Sequence, residues 1–406
     1  MTGIGTEILS DVRVLDFTRV LAGPFASMIM ADLGAEVIKV EEPRTGDEAR
    51  GFGPFVNGQS AYFTSINRGK RSVGIDLRTE AGRDLARDLA GHSDVLIENF
   101  RPGTMDRFGL DYQTLHTACP GLVYVSISGF GQTGPYAQRP AYDVIIQAMS
   151  GLASITGNPQ SPPVRVGTSI SDLGAALYGV IGILAALRVA GQSGRGQHLD
   201  ISMLDTQVAL LENAVARYDV TGEVPAPLGS QHPAITPFQF FKAADGYIVV
   251  AAGNDNLFGQ LCRRLGVEEL AEDSRFLSNS LRTENRSDLE DLLNQAFSQR
   301  TVDDWLEDLI EAGVPCGPIQ DIAQVMADPH IASREMIARL EQPGAGELAM
   351  PASPLRFSET PRTPPRPAPG LGQHTDDILG TLLGLDAEAI AALRSQGVIS
   401  VPAPIP

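Results

Sequence analysis

Within the stretch Val166–Leu187, VGTSISDLGAALYGVIGILAAL, Asp172 stands at the mouth of a long apolar run. From Leu173 to Ala190 the only charged residue is Arg188. A helix apolar nearly all round is expected in a core, so its first turn is anchored in a rigid body. A carboxylate there faces unpaired N–H groups and the positive end of the helix dipole. Two readings stand open on position alone. Ser171 or Asp172 is simply the N-cap, or Asp172 is a nucleophile held on a rigid element.

Two further stretches carry residues able to bind a ligand. In Glu98–Leu110 (ENFRPGTMDRFGL), Asn99, Arg101 and Arg107 could hold a phosphate and an adenine edge, although surface arginines alone are weak grounds. In Ser128–Asp143 (SGFGQTGPYAQRPAYD), glycines and prolines predict an irregular loop with free backbone amides, ending in Tyr142-Asp143 before another apolar helix. Asp143 is either an N-cap or a second carboxylate of the same cleft. The six histidines show no metal-ligand spacing and no GxSxG is present, so zinc and serine-triad chemistry are not expected.

The elements that must position these residues read as a doubly wound α/β sheet. Val12–Phe17, Ala35–Val40, Arg71–Leu77, Asp94–Glu98 and Leu122–Ile127 are apolar, β-rich runs alternating with helical segments, as in a buried parallel sheet. LAGP follows the first run instead of GxGxxG, so no dinucleotide cofactor is predicted, and Pro24 is expected to open the helix at its first position. Ligands of such sheets sit beyond the carboxyl ends of the strands, which points to 18–23, 41–50, 99–107 and 129–143. A single long helix is expected from HLDISMLD through about Tyr218. Thr221–Pro237 is a Pro/Gly-rich break; beyond it a hairpin at Ala-Asp-Gly, amphipathic helices and a core Trp305 are expected, then a proline-rich strap over Pro351–Leu371 and two closing helices.

A chain of 406 residues exceeds one ordinary core. With 31 basic against 49 acidic residues its charge is −18, which argues against a nucleic-acid or membrane-surface partner. Three scattered cysteines suggest a reducing compartment, and residues 1–13 show no signal-peptide pattern, so a cytoplasmic location is expected.

These stretches together resemble class III coenzyme A transferases, the formyl-CoA transferase and carnitine CoA-transferase superfamily. The resemblance is carried by VLDFTRVLAGPFASMIMADLGAEVIKVEEPRTGDEAR, NRGKRSVGIDL, ENFRPGTMDRFGL, SGFGQTGPYAQRPAYD, VGTSISDLGAALYGVIGILAAL and GRGQHLDISMLD, with a similar tail in HTDDILGTLLGLDAEAIAALRSQGVI. It implies a Rossmann-like α/β large domain built from both chain ends (1–221 and 331–406), a smaller α+β domain (222–330) and an interlocked homodimer. It implies Asp172 as nucleophile, Tyr142, Asp143 and Gly253 at the active site, and Leu21 and Asn254 near the substrate. Coenzyme A enters as a thioester substrate, not a resident cofactor, with Ile75, Asn99, Arg107 and Met203 at its site.

The chain also departs from formyl-CoA transferase. Leu21 replaces a glutamine beside the small acyl group, and AGNDN (252–256) replaces a glycine run. Basic CoA contacts fall at Glu42 and Pro140, so Arg44 or Arg50, and Arg139, are expected to substitute. These differences favour a larger acyl group, with succinyl-CoA as donor and a dicarboxylate as acceptor. The rival is an α-methylacyl-CoA racemase of the same fold, but Tyr142 stands where such racemases place a histidine base, and an unperturbed tyrosine is a poor base at neutral pH. A non-catalytic CoA-binding homologue would require Asp172 to be absent or occluded.

Overall fold

A computed structural model describes residues 7–401; the leader question posed by residues 1–13 thus falls partly on residues 1–6, outside the described residues. Six strands, β1 (Arg13–Asp16), β2 (Glu36–Glu41), β3 (Arg71–Gly74), β4 (Val95–Glu98), β5 (Val123–Ser128) and β6 (His198–Ser202), form one sheet in the order 3-2-1-4-5-6. Every neighbouring pair is parallel. Because side chains alternate along a strand, consecutive residues feed opposite cores. Val14, Val37, Val95 and Val123 face one side with α1 (Ala22–Asp32), whereas Leu15, Ile38, Leu96 and Tyr124 face the other with α2 (Glu80–Gly91). Ile378, Leu379 and Ile390 from the closing helices complete the second core. Thr79 caps α2 by accepting the Gly82 N–H.

Three helices carry the remaining site residues: α3 (Asp143–Met149), α4 (Ile170–Ser193) and α5 (Met203–Ala209). The long apolar α4 is not a fully buried core helix in one chain, as its composition leads one to expect. One stripe packs on α1 and the sheet through Ala175, Ala176, Val180, Ile183 and Ala186. The other leaves Leu177 at 51% and Ile181 at 63% exposure. By length and composition α4 could cross a membrane; in this structure its first turn and small-residue stripe are built into the sheet's core. The expected long helix after β6 is also broken: α5 ends at Ala209, Glu212 has φ +27, and a separate helix runs Asn213–Thr221.

Contacts among the described residues cluster into two compact units. The first is drawn from Met1–Leu152, Val166–Ala216 and His330–Pro406, the second from Ala153–Arg165 and Arg217–Pro329. Residues 153–165 therefore group with the second unit, a return the sequence did not signal. That unit holds an antiparallel sheet of β7 (Phe238–Lys242), β8 (Tyr247–Ala251) and β9 (Cys316–Pro318). Its core gathers Phe241, Ile248, Val250, Phe276, Phe297 and Trp305, with the indole N–H donating to Phe297 O at 2.8 Å. In the first unit a hairpin of β10 (Ile337–Gln342) and β11 (Gly346–Pro351), unmarked in the sequence, precedes the strap. The Gln342 amide pins the strap at Ala368 through both its N–H and C=O.

Candidate active site

The sheet reverses direction of growth between β1 and β4, so a crevice opens where their following segments diverge. Residues 17–21 leave β1 and residues 99–103 leave β4. Asn99 joins the two: its Oδ1 accepts the Arg19 N–H at 2.9 Å and its Nδ2 donates to Arg19 O at 2.8 Å. The amide expected to meet coenzyme A is thus committed to the backbone of the facing turn. Pro24 falls third in α1, not first, because the helix begins at Ala22 behind Leu21, which supplies no side-chain cap.

Asp172 is the third residue of α4, behind Ser169, so neither Asp172 nor Ser171 is the cap. The helix start is instead held from outside. Asp143 Oδ1 accepts the Ser171 N–H at 2.9 Å, Gln207 Oε1 accepts the Ser171 hydroxyl at 3.0 Å, and Gln147 Oε1 accepts the Val166 N–H at 2.8 Å. Gln147 also donates to Asp143 Oδ2 at 2.7 Å. Asp143 therefore begins its own helix while capping the next one. Burial, with the nearby Asp143 carboxylate adding repulsion, pushes Asp172 up to about 7. A carboxylate of that basicity is a stronger nucleophile than a solvated one.

Two adjoining cavities flank the turn. One of about 170 Å³ is lined by Asp172, Tyr142, Leu21, Asn99, Arg101, Arg139 and Met203, so seven of the residues singled out from sequence meet there. Asp143 lies behind its wall, buried. The second cavity, of about 270 Å³, is lined by Ile75, Phe17, Phe100, Phe108, Arg78 and Glu42 among others. Arg19, Glu48 and Phe100 belong to both walls. An elongated ligand can thus lie with one end in each.

The remaining basic expectations need correction. Arg50 pairs with buried Glu41 through Nε and Nη2, each at 2.7 Å, and stacks 3.7 Å from the Phe63 ring centroid, so it braces the fold. Arg44 turns to Glu42 at 3.1 Å, and Arg44 itself is on neither cavity wall. Arg107, on the short helix Thr104–Phe108, donates to Thr104 Oγ1 at 3.2 Å beside the second cavity's Phe108, outside both linings. Arg139 lies over Tyr136, 3.8 Å from its centroid, and keeps its guanidinium on the cavity wall. Gly253 and Asn254 lie in the second unit. There Gly253 O accepts Arg282 Nη2 at 2.7 Å, and Asn254 Oδ1 caps helix Asp255–Leu265 through the Leu257 N–H at 2.8 Å. The Asn254 amide is a cap rather than an open substrate contact.

Sequence reasoning missed Arg19, Glu48, Arg78 and Ser128. Arg19 and Glu48 bond at 2.7 Å where the two cavities meet. Ser128 Oγ, buried on the wall shared with Asp172, has no hydrogen-bond partner among the described residues. Tyr62, whose hydroxyl is pushed up by burial and by Asp172 and Asp47, senses the same charge from another side. TRVL and GDEAR were the available signals, but nothing in their spacing shows that they meet.

The chain belongs to CoA-transferase family III, whose family model matches residues 9–375. It is 40% identical over 392 residues to succinyl-CoA:glutarate CoA-transferase of Homo sapiens, covering 96% of this chain and 90% of that protein. It is 44% identical over 346 residues to acetyl-CoA:oxalate CoA-transferase of Acetobacter aceti, covering 85% and 88%. A CAIB/BAIF family protein from Brucella suis superposes with a TM-score of 0.82 at 41% identity, covering 94% of this chain and all of that one. The chain is a CoA-transferase, moving CoA between an acyl-CoA and a carboxylic acid, with the thioester as substrate and not as a bound cofactor.

Proposed function

We propose that the enzyme transfers CoA from succinyl-CoA to a dicarboxylic acid, with Asp172 as nucleophile. The observation that carries this reading is the part-buried Asp172 carboxyl, raised to about 7 and set on the cavity wall at a pinned helix start. Its Oδ attacks the thioester carbonyl, expelling the CoA thiolate and forming a mixed anhydride. The thiolate returns to the aspartyl carbonyl, releasing the donor acid and leaving an aspartyl-CoA thioester. The acceptor carboxylate attacks that thioester and expels the thiolate again. Attack of the thiolate on the acceptor's acyl carbon then releases the new CoA ester and restores Asp172. No net proton is consumed. A carboxylate is required because each anhydride must be as reactive as the thioester it replaces, and water must be excluded from all three acyl intermediates.

Relatives named for succinate with glutarate, D-citramalate and mesaconate support the dicarboxylate reading. Leu21 and Met203 give the cavity an apolar lining for a methylene chain, while Arg139, Arg19 and Arg78 supply cations for the carboxylate and phosphate ends. Among the described residues no histidine lines either cavity, which speaks against the His/Asp pair of the racemase reading. The exposed apolar stripe of α4 supports a homodimer, with the family resemblance implying interlocked subunits, and the free cysteines suit a reducing, cytoplasmic setting.

The test is transfer of labelled CoA from succinyl-CoA across a panel of acids by the wild type and Asp172→Asn. A dicarboxylate should be the preferred acceptor and the variant should lose transfer. Full activity in Asp172→Asn, or preference for a monocarboxylate, would overturn the reading.

A further inference from the structure

Val20 is held in a conformation its own side chain opposes. Its φ is +67, in the left-handed region where β-branched residues are rare. It also lies on the cavity wall shared with Asp172, directly before Leu21 and Ala22. Such a backbone persists only when its surroundings over-determine it.

The surroundings here are a fully buried network of charges. Asp47 Oδ1 accepts the Val20 N–H at 3.0 Å and the Ala49 N–H at 2.9 Å. Asp47 Oδ2 meets Lys39 Nζ at 2.9 Å, with both side chains excluded from solvent. Lys39 in turn donates to Thr18 O at 2.6 Å, and Asp16 Oδ1 accepts the Thr18 N–H at 2.8 Å. Lys70 closes the network through Asp16 Oδ2 at 3.0 Å and Pro24 O at 2.9 Å. With Asn99 clamping Arg19 on both backbone groups, residues 18, 19 and 20 are each fixed by a side chain from another element. Two lysines and two aspartates balance, so the network can stay buried without leaving a naked charge.

We propose that Asp47 is a positioning residue for CoA transfer: by accepting the Val20 N–H it holds that residue left-handed and sets Leu21 and Ala22 on the wall beside Asp172. This rests on the reading of Asp172 as nucleophile. A purely structural Asp47 would serve only to neutralise Lys39 and to cap the Glu48–Gly51 turn through the Ala49 N–H. The two roles separate because glycine enters the left-handed region without penalty. If Asp47 acts through Val20, Val20→Gly makes the Asp47 bond partly dispensable; if it acts through Lys39, the residue at position 20 is irrelevant to its loss.

The experiment is steady-state transfer from succinyl-CoA to glutarate by the full-length protein, with kcat and KM measured separately. Asp47→Ala should lower kcat about 100-fold, as for a wall displaced by about 1 Å, with a much smaller change in KM. Asp47→Asn, which keeps the acceptor oxygen, should restore most of kcat. Adding Val20→Gly to Asp47→Ala should recover about tenfold, a non-additive gain. Val20→Ala in the same background controls for the lost side chain and should recover little. If Asp47→Ala does not fold, Lys39→Met with Asp47→Leu removes both charges, and Val20→Gly is added to that pair. Equal kcat with and without Val20→Gly, or equal losses in Asp47→Asn and Asp47→Ala, would overturn the proposal. Failure of the underlying reading is distinguishable, because it shows in wild type as no thioester on Asp172.

Discussion

The raised Asp172 carboxyl must cost stability, and that cost is measurable without substrate. In the unfolded chain the group titrates near 3.8, in the folded protein at about 7. Folding therefore favours the protonated form. The penalty is absent below about pH 4, grows as pH rises between the two values, and is full above pH 7. Moving a carboxyl over that interval corresponds to about 4 kcal/mol at pH 8.5 and less than about 2 at pH 5. Because part of the carboxyl meets the cavity, about 2 kcal/mol at pH 8.5 is the working expectation. Asp172→Asn removes the ionisable group while keeping its shape, so the variant should be the more stable protein at high pH, a trade of stability for activity. Urea titrations of both proteins at pH 5 and pH 8.5 read the difference. A variant no more stable than wild type at pH 8.5, or stabilised equally at both pH values, would refute the assignment of a part-buried carboxyl raised by desolvation.

Asp143→Asn keeps the acceptor for the Ser171 N–H but removes the repelling charge, so the acid limb of kcat/KM should move down by about one pH unit; an unmoved limb would mean that the limb does not report Asp172. Gly253→Ala places a Cβ 2.0 Å from Ile235 Cγ2 and should destabilise the second unit by about 1–3 kcal/mol in thermal melts, with relief from Ile235→Ala. If the proposed homodimer forms through the exposed stripe of α4, Ile181→Glu there should give monomer in light scattering where wild type gives dimer, while far-ultraviolet circular dichroism stays unchanged; a wild type that is already monomeric would refute the dimer. Asn99→Ala frees both backbone groups of Arg19 and should raise KM for the acyl-CoA about tenfold, read in initial-rate assays.

The sheet was legible because burial on both faces writes near-continuous apolar runs, and Val14 and Leu15 sort to opposite cores by simple alternation. The cavity was legible as far as strand ends are: Leu21, Asn99, Tyr142 and Met203 follow or adjoin strands and meet where such sheets bind ligands. Partnership was not legible. Arg50 reads as a free cation until Glu41, nine positions away, takes two of its three guanidinium nitrogens. Asp143 reads as the cap of its own helix, yet its oxygen reaches 28 residues along to Ser171. Glycines flag left-handed turns, but Val20 carries no such mark, since its conformation is imposed by Asp47. The composition of α4 told only half: Ala175, Val180 and Ile183 are core as an apolar helix leads one to expect, whereas Leu177 and Ile181 are exposed.

The central claim is that Asp172 carries CoA covalently during turnover. Incubation with succinyl-CoA alone, quenching in hydroxylamine and peptide mass spectrometry should place a hydroxamate on Asp172 and on no other carboxylate. Omitting hydroxylamine should instead show one CoA joined with loss of water. A modified residue elsewhere, or an unmodified Asp172 in protein that transfers CoA at full rate, would contradict the account.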